Sequence, residues 1–176
     1  MKRVSSETVY EGPIASVRID VFDHGDGEEA ERQVVTHPGA VGALAIDETS
    51  IWLVRQPREA VGESSTLEIP AGKLDVEGES RLACMQRELS EEIGKRAERW
   101  TELKRFYVSP GLLEEEVTIF LAEGLVDDPD HEPIASERIE IVAWPLAEIG
   151  AAFAESKDAK SLIALAMLER ILAERS

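Results

Sequence analysis

The N-terminal part of the chain alternates between apolar and polar positions, which is the period of a β-strand. Residues 5–22 show this alternation and end in a β-rich run, and residues 31–37 form another such stretch. The sequence His-Gly-Asp-Gly at 24–27 lies between them and carries a turn signal. Residues 1–38 are therefore predicted to form a small antiparallel sheet, which is marginal alone and needs a packing partner.

The rest of the chain changes period several times. Strand-like runs occur at 42–47, 51–56, 66–72, 100–111, 116–125 and 139–146, and an acidic loop is expected at 125–137. After Pro145 the period becomes helical, with a short helix and then a longer one over 158–176. This order predicts an α+β fold, an α/β/α sandwich in which a mixed sheet lies between helices. Residues 39–176 are expected to form this main domain.

A helix is predicted in the second half of the stretch 71–94, AGKLDVEGESRLACMQRELSEEIG. Four apolar residues are expected on its buried face: Leu82, Met85, Leu89 and Ile93. Gly94 follows the last of them, at the position where a left-handed residue commonly ends a helix.

Three carboxylates, Glu88, Glu91 and Glu92, lie beside this face within about one turn. They repel one another, and they crowd the C-terminal end of the helix, where the macrodipole is already negative. Hard divalent cations would relieve this repulsion, because Mg²⁺ prefers oxygen ligands. An ordinary acidic surface helix is the alternative that these residues alone leave open.

Composition limits the classes of function. The chain has 176 residues, of which 43% are hydrophobic, enough for one full domain and a small accessory element. It lacks an apolar run of membrane-spanning length, and its first residues do not resemble a secretory signal. The single Cys84 is expected to pack rather than react and favours a cytoplasmic location. A net charge of −17 argues against binding to nucleic acid or to anionic membranes.

The segment from Glu79 to Gly94 resembles the Nudix box, the signature of the Nudix hydrolases. Glu79 is followed by seven residues and then by Arg-Glu-Leu-Ser-Glu-Glu-Ile-Gly at 87–94, which matches the box position by position. The sequence departs from the box twice. Six residues rather than five separate Gly72 from Glu79, and Lys95 stands where an aliphatic residue is usual.

This resemblance implies a metal-dependent hydrolase with the Nudix fold. Carried over by position, Glu88 and Glu92 would be the principal ligands of Mg²⁺ or Mn²⁺, Glu91 a third, and the carbonyl of Ala71 a further contact. Arg87 would be structural and would pair with a glutamate, pointing nearer to Glu91 than to the metals. Glu79 would brace the loop.

Segments outside the box resemble the ADP-ribose pyrophosphatase branch of this family. Pro110 lies sixteen residues beyond Gly94, as in that branch. Further similar segments are HPGAV at 37–41, VRQPR at 54–58, LEIPAGK at 67–73 and DAKSLIALAML at 158–168. The resemblance extends from about Tyr10 to Leu168 and implies a nucleoside diphosphate sugar as the substrate.

The branch also implies roles for individual residues. Arg58 would contact the phosphates, Glu115 the terminal ribose or the catalytic loop, and Arg32 the nucleotide of a neighbouring subunit, which implies a homodimer with exchanged N-terminal sheets. Gly72 and Gly111 are expected substrate contacts. Glu137, with Glu132 as the alternative, would act on the attacking water or bind metal in a closed state.

Several functions stay open at this level. The first is hydrolysis of ADP-ribose to AMP and ribose 5-phosphate, and a close variant acts on another nucleoside diphosphate sugar. Residues 12–14, Gly-Pro-Ile, lack the aromatic residue on which branch members often stack adenine, so base specificity is not settled. A nucleotide-sugar sensor without turnover is disfavoured because all three box glutamates are present. Dinucleoside polyphosphate hydrolysis is disfavoured by Pro110 and the N-terminal sheet.

Overall fold

The computed structural model describes residues 1–130 and 138–175. Its contacts divide the chain into two compact units. The N-terminal unit consists of residues 1–39 and 106–117, and the main unit consists of residues 40–105 and 118–176. Two long strands, β8 and β9 below, have residues in both units.

The N-terminal unit contains an antiparallel sheet in the order β1-β2-β3 within residues 1–39. Its strands are β1 (Lys2–Glu11), β2 (Ser16–Asp23) and β3 (Glu29–Thr36). The predicted small sheet is therefore confirmed, but the single stretch expected at 5–22 is two strands. A turn separates them, closed by a hydrogen bond from Gly12 N to Ala15 O at 3.1 Å, and Pro13 in that turn lacks the N–H that a continuous central strand would need.

A buried carboxylate organises this unit. Asp20 is fully buried on β2 and accepts hydrogen bonds from Ser6 Oγ at 2.6 Å and Arg18 Nε at 2.9 Å. Arg18 also donates to Glu114 at 2.7 Å, and the backbone of Val35 bonds to residues 112 and 114. These bonds tie the segment 106–117 to the sheet, a connection between distant parts of the chain that the hydrophobic pattern did not reveal.

The main unit contains a mixed sheet with the strand order β10-β5-β4-β9-β8, to which β6 and β7 are added through β5 and β4. The strands are β4 (Ala40–Ile46), β5 (Ser50–Arg58), β6 (Glu63–Glu68), β7 (Ala71–Lys73), β8 (Lys95–Tyr107), β9 (Glu116–Asp127) and β10 (Glu140–Pro145). Single 3₁₀ turns lie at Glu59–Val61 and Leu146–Glu148. Strand β4 is buried along its whole length, as expected for a central strand.

Three α-helices pack in this unit in the described part of the chain: α1 (Arg81–Ile93), α2 (Ile149–Glu155) and α3 (Ala159–Arg175). The predicted α+β class is confirmed. None of the described helices is long and apolar enough to cross a membrane.

Helix α1 ends at Gly94 as its sequence predicts, whereas the cap at its start was not predicted. Ser80 caps the N-terminus by accepting a hydrogen bond from Ala83 N at 3.1 Å, and Gly94 ends the helix in the left-handed conformation with φ of 65°. One predicted core residue was wrong. Leu82 is 38% exposed, and Cys84 is fully buried in its place beside Met85. The buried stripe is therefore rotated toward Cys84, which places Glu92 at its edge with 8% exposure.

Candidate active site

Two glutamates of α1 meet strand β7. Glu88 and Glu92 are four residues apart, so both carboxylates lie on one side of the helix. Ala71 N donates a hydrogen bond to Glu92 Oε2 at 2.9 Å. A Cβ atom built on Gly72 would lie 2.0 Å from the Glu88 carboxyl carbon, a distance that no side chain could accept. The structure therefore brings together four of the predicted site residues in one unit.

Arg87 holds the acidic cluster together. Its Nε and Nη2 atoms donate to the two carboxylate oxygens of Glu79 at 3.1 Å each. Its Nη1 atom donates to Glu88 at 2.8 Å and to Glu91 at 2.9 Å. The expected pairing of Arg87 with a glutamate is seen, and it involves Glu79, Glu88 and Glu91 together. Part of the repulsion between the glutamates is thus balanced by an arginine.

These contacts change the electrostatics of the cluster. The hydrogen bond from Arg87 lowers the pKa of Glu79, and the same contact, followed by Glu88 and Glu91, raises the pKa of Arg87. Both shifts favour the charged forms of Glu79 and Arg87. In residues 1–130 and 138–175, no three His, Cys, Asp or Glu side chains form a ready-made metal cluster. Since Arg87 binds Glu88 and Glu91, these side chains would have to turn from Arg87 to share a cation.

Arg58 lies in a second charged cluster of the main unit. Its Nε and Nη2 atoms donate to Glu68 Oε1 and Oε2 at 2.7 Å each, in a bidentate pair. Lys160 Nζ donates to Glu68 Oε2 at 2.6 Å. No local pattern in the sequence indicates a role for Glu68 or Lys160, although both lie in segments that resemble the ADP-ribose pyrophosphatase branch, LEIPAGK and DAKSLIALAML.

The cluster of Arg58, Glu68 and Lys160 lies within electrostatic range of helix α1. The pKa of Arg58 is raised, first by its hydrogen bonds to Glu68 and to a smaller extent by the negative charges of Asp158 and Glu92. Arg58 lines a cavity of about 400 Å³, together with Ala60, Val61, Glu63, Thr66, Glu68, Lys157, Asp158 and Ala159.

The remaining predicted site residues lie in the N-terminal unit or outside the described residues. Glu115 Oε1 is 3.8 Å from His37 Nδ1, and Arg32 is exposed and donates to the carbonyl of Glu31 at 2.7 Å. Gly111 follows Pro110 in a turn, and a Cβ atom built on it would meet nothing within 4 Å. Glu137 and its alternative Glu132 lie outside the described residues.

Cys84 is a packing residue in the core beneath α1. It is fully buried, and its thiol donates to the carbonyl of Lys73 at 3.3 Å. Burial raises the pKa of the thiol to about 12, so the nucleophilic thiolate does not form near neutral pH.

Comparison with known proteins agrees with this geometry. The family model of the NUDIX domain matches residues 36–165. The chain is 36% identical to the ADP-ribose pyrophosphatase of Bacillus subtilis (strain 168) over 173 residues, which cover 96% of this chain and 92% of that protein. It is 32% identical to the methanol dehydrogenase activator of Bacillus methanolicus over 172 residues, with 96% and 92% coverage.

A solved structure shows the same fold. The crystal structure of an ADP compounds hydrolase superposes with a TM-score of 0.83 at 24% identity, and the match covers 99% of this chain and 95% of that one. The chain belongs to the NUDIX domain family, and its acidic helix α1 carries the motif of the hydrolases of that family.

Proposed function

We propose that this protein is a metal-dependent hydrolase that cleaves the pyrophosphate bond of ADP-ribose to give AMP and ribose 5-phosphate. The close approach of Glu88 to Gly72, next to the bond between Glu92 and Ala71, is the observation that carries this proposal. The similarity to a Bacillus subtilis ADP-ribose pyrophosphatase over nearly the whole chain supports the substrate. The cytoplasm is the proposed location, because the one cysteine is a buried thiol that does not depend on an oxidising compartment.

The donor set at this site fits Mg²⁺ or Mn²⁺. Carboxylates of Glu88, Glu91 and Glu92 and the carbonyl of Ala71 are hard oxygen donors, and Gly72 leaves the space that a Cβ atom would fill. A divalent cation bound there would neutralise charge on the phosphoryl oxygens and lower the pKa of a bound water.

The protein's own residues orient the substrate and remove a proton. Arg58 binds the diphosphate through the N–H groups that its bidentate pair with Glu68 leaves over, and Gly72 and Gly111 are further proposed substrate contacts. Glu115 contacts the terminal ribose. Hydrolysis adds the hydroxyl of one water to one phosphorus while the bridging oxygen leaves on the other phosphate, and Glu137 accepts the proton that the water loses.

A homodimer with exchanged N-terminal sheets is part of this proposal. Strand β1 is exposed along its whole length, including the large apolar side chains Val4, Val9 and Tyr10. Apolar side chains on an exposed strand favour burial against another chain. The exposed Arg32 would then reach the nucleotide bound by the partner subunit.

Another nucleoside diphosphate sugar is the alternative substrate. The turn between β1 and β2 carries Ile14, which is exposed, and no aromatic residue for stacking on adenine lies at 12–14. The diphosphate chemistry is therefore better supported than the choice of base and sugar.

A substrate panel with product identification tests the proposal. The purified protein is incubated with Mg²⁺ and ADP-ribose, GDP-mannose, UDP-glucose or diadenosine tetraphosphate, and the products are separated by chromatography. We expect the highest kcat/KM with ADP-ribose, and AMP and ribose 5-phosphate in equal amounts. Turnover of a different sugar nucleotide supports the alternative. Binding of ADP-ribose without turnover would indicate a sensor and contradict the proposal.

A further inference from the structure

Three consecutive residues that lead into the site are held by one segment of the chain. Leu67 O accepts a hydrogen bond from Ser156 Oγ at 2.8 Å, and Ile69 N donates to Ser161 Oγ at 2.9 Å. Between them, Glu68 accepts from Lys160 Nζ at 2.6 Å. The segment 156–161, which leads from the end of α2 into α3, therefore fixes the backbone just before Ala71 and also contacts the side chain of Glu68.

Glu68 is a buried carboxylate, and both of its oxygens accept hydrogen bonds. Its side chain is 1% exposed and accepts hydrogen bonds from Arg58, Lys160 and Thr66, the last at 2.6 Å. Burial raises the pKa of Glu68, but the hydrogen bonds and charges of Arg58 and Lys160 outweigh burial and hold it at about 2. A buried ion with two cationic partners is rigid, because moving any one partner leaves a charge unpaired.

One edge of the Arg58 guanidinium is bound to Glu68, and the Nη1 group is available to a ligand. Its Nε and Nη2 atoms bind Glu68, and the Nη1 amino group has no acceptor in the described residues 1–130 and 138–175. The side chain is 42% exposed and lines the 400 Å³ cavity. The negative charge of Glu92 contributes to the raised pKa of Arg58, so the guanidinium lies within electrostatic range of one of the candidate metal ligands.

We propose that Glu68, anchored by Lys160 and Thr66, is a positioning residue that orients Arg58 to bind the diphosphate of the substrate. This inference rests on the proposed function, in which Arg58 contacts the phosphates. Glu68 does not touch substrate. It acts by holding the plane of the guanidinium, so that the free N–H groups already point into the cavity before substrate arrives.

Replacement of Glu68 by glutamine isolates this effect. Glutamine has the same shape but offers one acceptor oxygen, and its amide N–H groups face the N–H groups of Arg58. The bidentate pair is therefore lost while the volume is retained. Arg58→Ala removes the proposed phosphate contact itself, and the double variant tests whether Glu68 acts through Arg58.

The experiment is a kinetic double-mutant cycle on ADP-ribose hydrolysis, with Tm measured for every variant. We expect Arg58→Ala to raise KM about tenfold or more, because a charged hydrogen bond is lost. Glu68→Gln should raise KM in the same direction with a smaller change in kcat. The double variant should have the KM of Arg58→Ala alone, since a residue that acts through Arg58 has nothing to position in its absence. Arg170→Gln is the matched control and should leave KM unchanged, because Arg170 also pairs with a glutamate, Glu174 at 2.9 Å, but is not among the residues that line the cavity.

An NMR measurement keeps the inference testable if Glu68→Gln is poorly stable or if the proposed function fails. The Nε–H signal of Arg58 reports the order of the guanidinium without any substrate. In the wild type it should be sharp and protected from exchange, and Lys160→Met, which retains the pair, should increase its exchange rate. Equal exchange in both proteins, an unchanged KM in Glu68→Gln, or additive effects in the double variant would overturn the inference. Absence of ADP-ribose hydrolysis by the wild type would overturn only the proposed function.

Discussion

Gly72 and Glu88 approach so closely that a single methyl group on residue 72 would push the Glu88 side chain away. The Cβ atom of an alanine at 72 would lie 2.0 Å from the Glu88 carboxyl carbon and 2.3 Å from its Oε1 atom. Carboxylate and backbone must therefore share a space that only glycine leaves open. This contact defines the position of Glu88 relative to β7.

The Gly72→Ala variant should lose activity through displacement of Glu88. We expect kcat to fall about 100-fold, because a shift of about 1 Å at a site of this kind has an effect of that size. Gly150→Ala is the control, since a Cβ atom at this α2 position meets nothing within 4 Å. Steady-state kinetics of both variants check the prediction, and full activity in Gly72→Ala would show that Glu88 has no role in turnover.

The Arg87→Gln variant should destabilise the metal-free protein. It leaves Glu79, Glu88 and Glu91 without their shared cation, and we expect Tm to fall by a few degrees without metal. Added Mg²⁺ should raise Tm more in the variant than in the wild type, because its charge compensates the same carboxylates.

Arg99→Gln provides the comparison for Arg87. Arg99 is exposed and makes a single long ion pair with Glu98 at 3.9 Å, so its removal should leave Tm unchanged. Differential scanning fluorimetry with and without Mg²⁺ measures both variants. If the two variants have the same Tm without metal, the cluster does not need Arg87.

The Glu68 carboxyl should make the protein sensitive to acid. Its pKa is about 2 in the folded protein against an ordinary value of 4.5, so its contribution to stability is complete above about pH 4.5 and is lost as the pH falls toward 2. The difference corresponds to on the order of 3 kcal/mol. In urea titrations between pH 2 and 6, the free energy of unfolding of Glu68→Gln should fall less steeply with decreasing pH. If the free energies of unfolding of the wild type and of Glu68→Gln depend on pH in the same way, Glu68 is not charged in the folded protein.

Deletion of residues 1–38 tests the proposed assembly. The wild type should have the mass of a dimer by light scattering, because the exposed apolar side chains of β1 need a partner. The truncated chain should be monomeric or unstable. A stable, active monomer after truncation would show that the N-terminal sheet is not exchanged.

Local signals predicted the elements around the site well. The left-handed cap at Gly94 depends on neighbouring residues, and so does the spacing of Glu88 and Glu92 on one side of α1. The same holds for the turn at 24–27, where Gly25 and Gly27 have positive φ angles of 87° and 88°. Features of this kind are fixed within a few residues of the chain.

Contacts between distant residues could not be predicted from the sequence. Lys160 and Glu68 are separated by 92 positions, and nothing in the period of α3 shows that its first turn meets the end of β6. Leu82 was assigned to the core because it is apolar, but burial depends on the direction in which the helix packs, and Cys84 faces the core instead.

The repulsion among Glu88, Glu91 and Glu92 is balanced within the protein before any metal binds. Divalent cations are the predicted source of relief, yet Arg87 binds two of these glutamates directly. A metal therefore competes with an internal cation, and Glu92, bound to Ala71 N rather than to Arg87, is the carboxylate already placed at the strand.

Binding of Mn²⁺ to the wild type and to Glu92→Gln, measured by electron paramagnetic resonance in parallel with ADP-ribose turnover, tests the central claim most directly. Glutamine keeps an oxygen for the Ala71 N–H, so the fold is retained while the charge and one ligand are lost. We expect the variant to bind Mn²⁺ at least about tenfold more weakly and to lose about 100-fold or more in kcat. Undiminished Mn²⁺ affinity and turnover in Glu92→Gln would contradict the account.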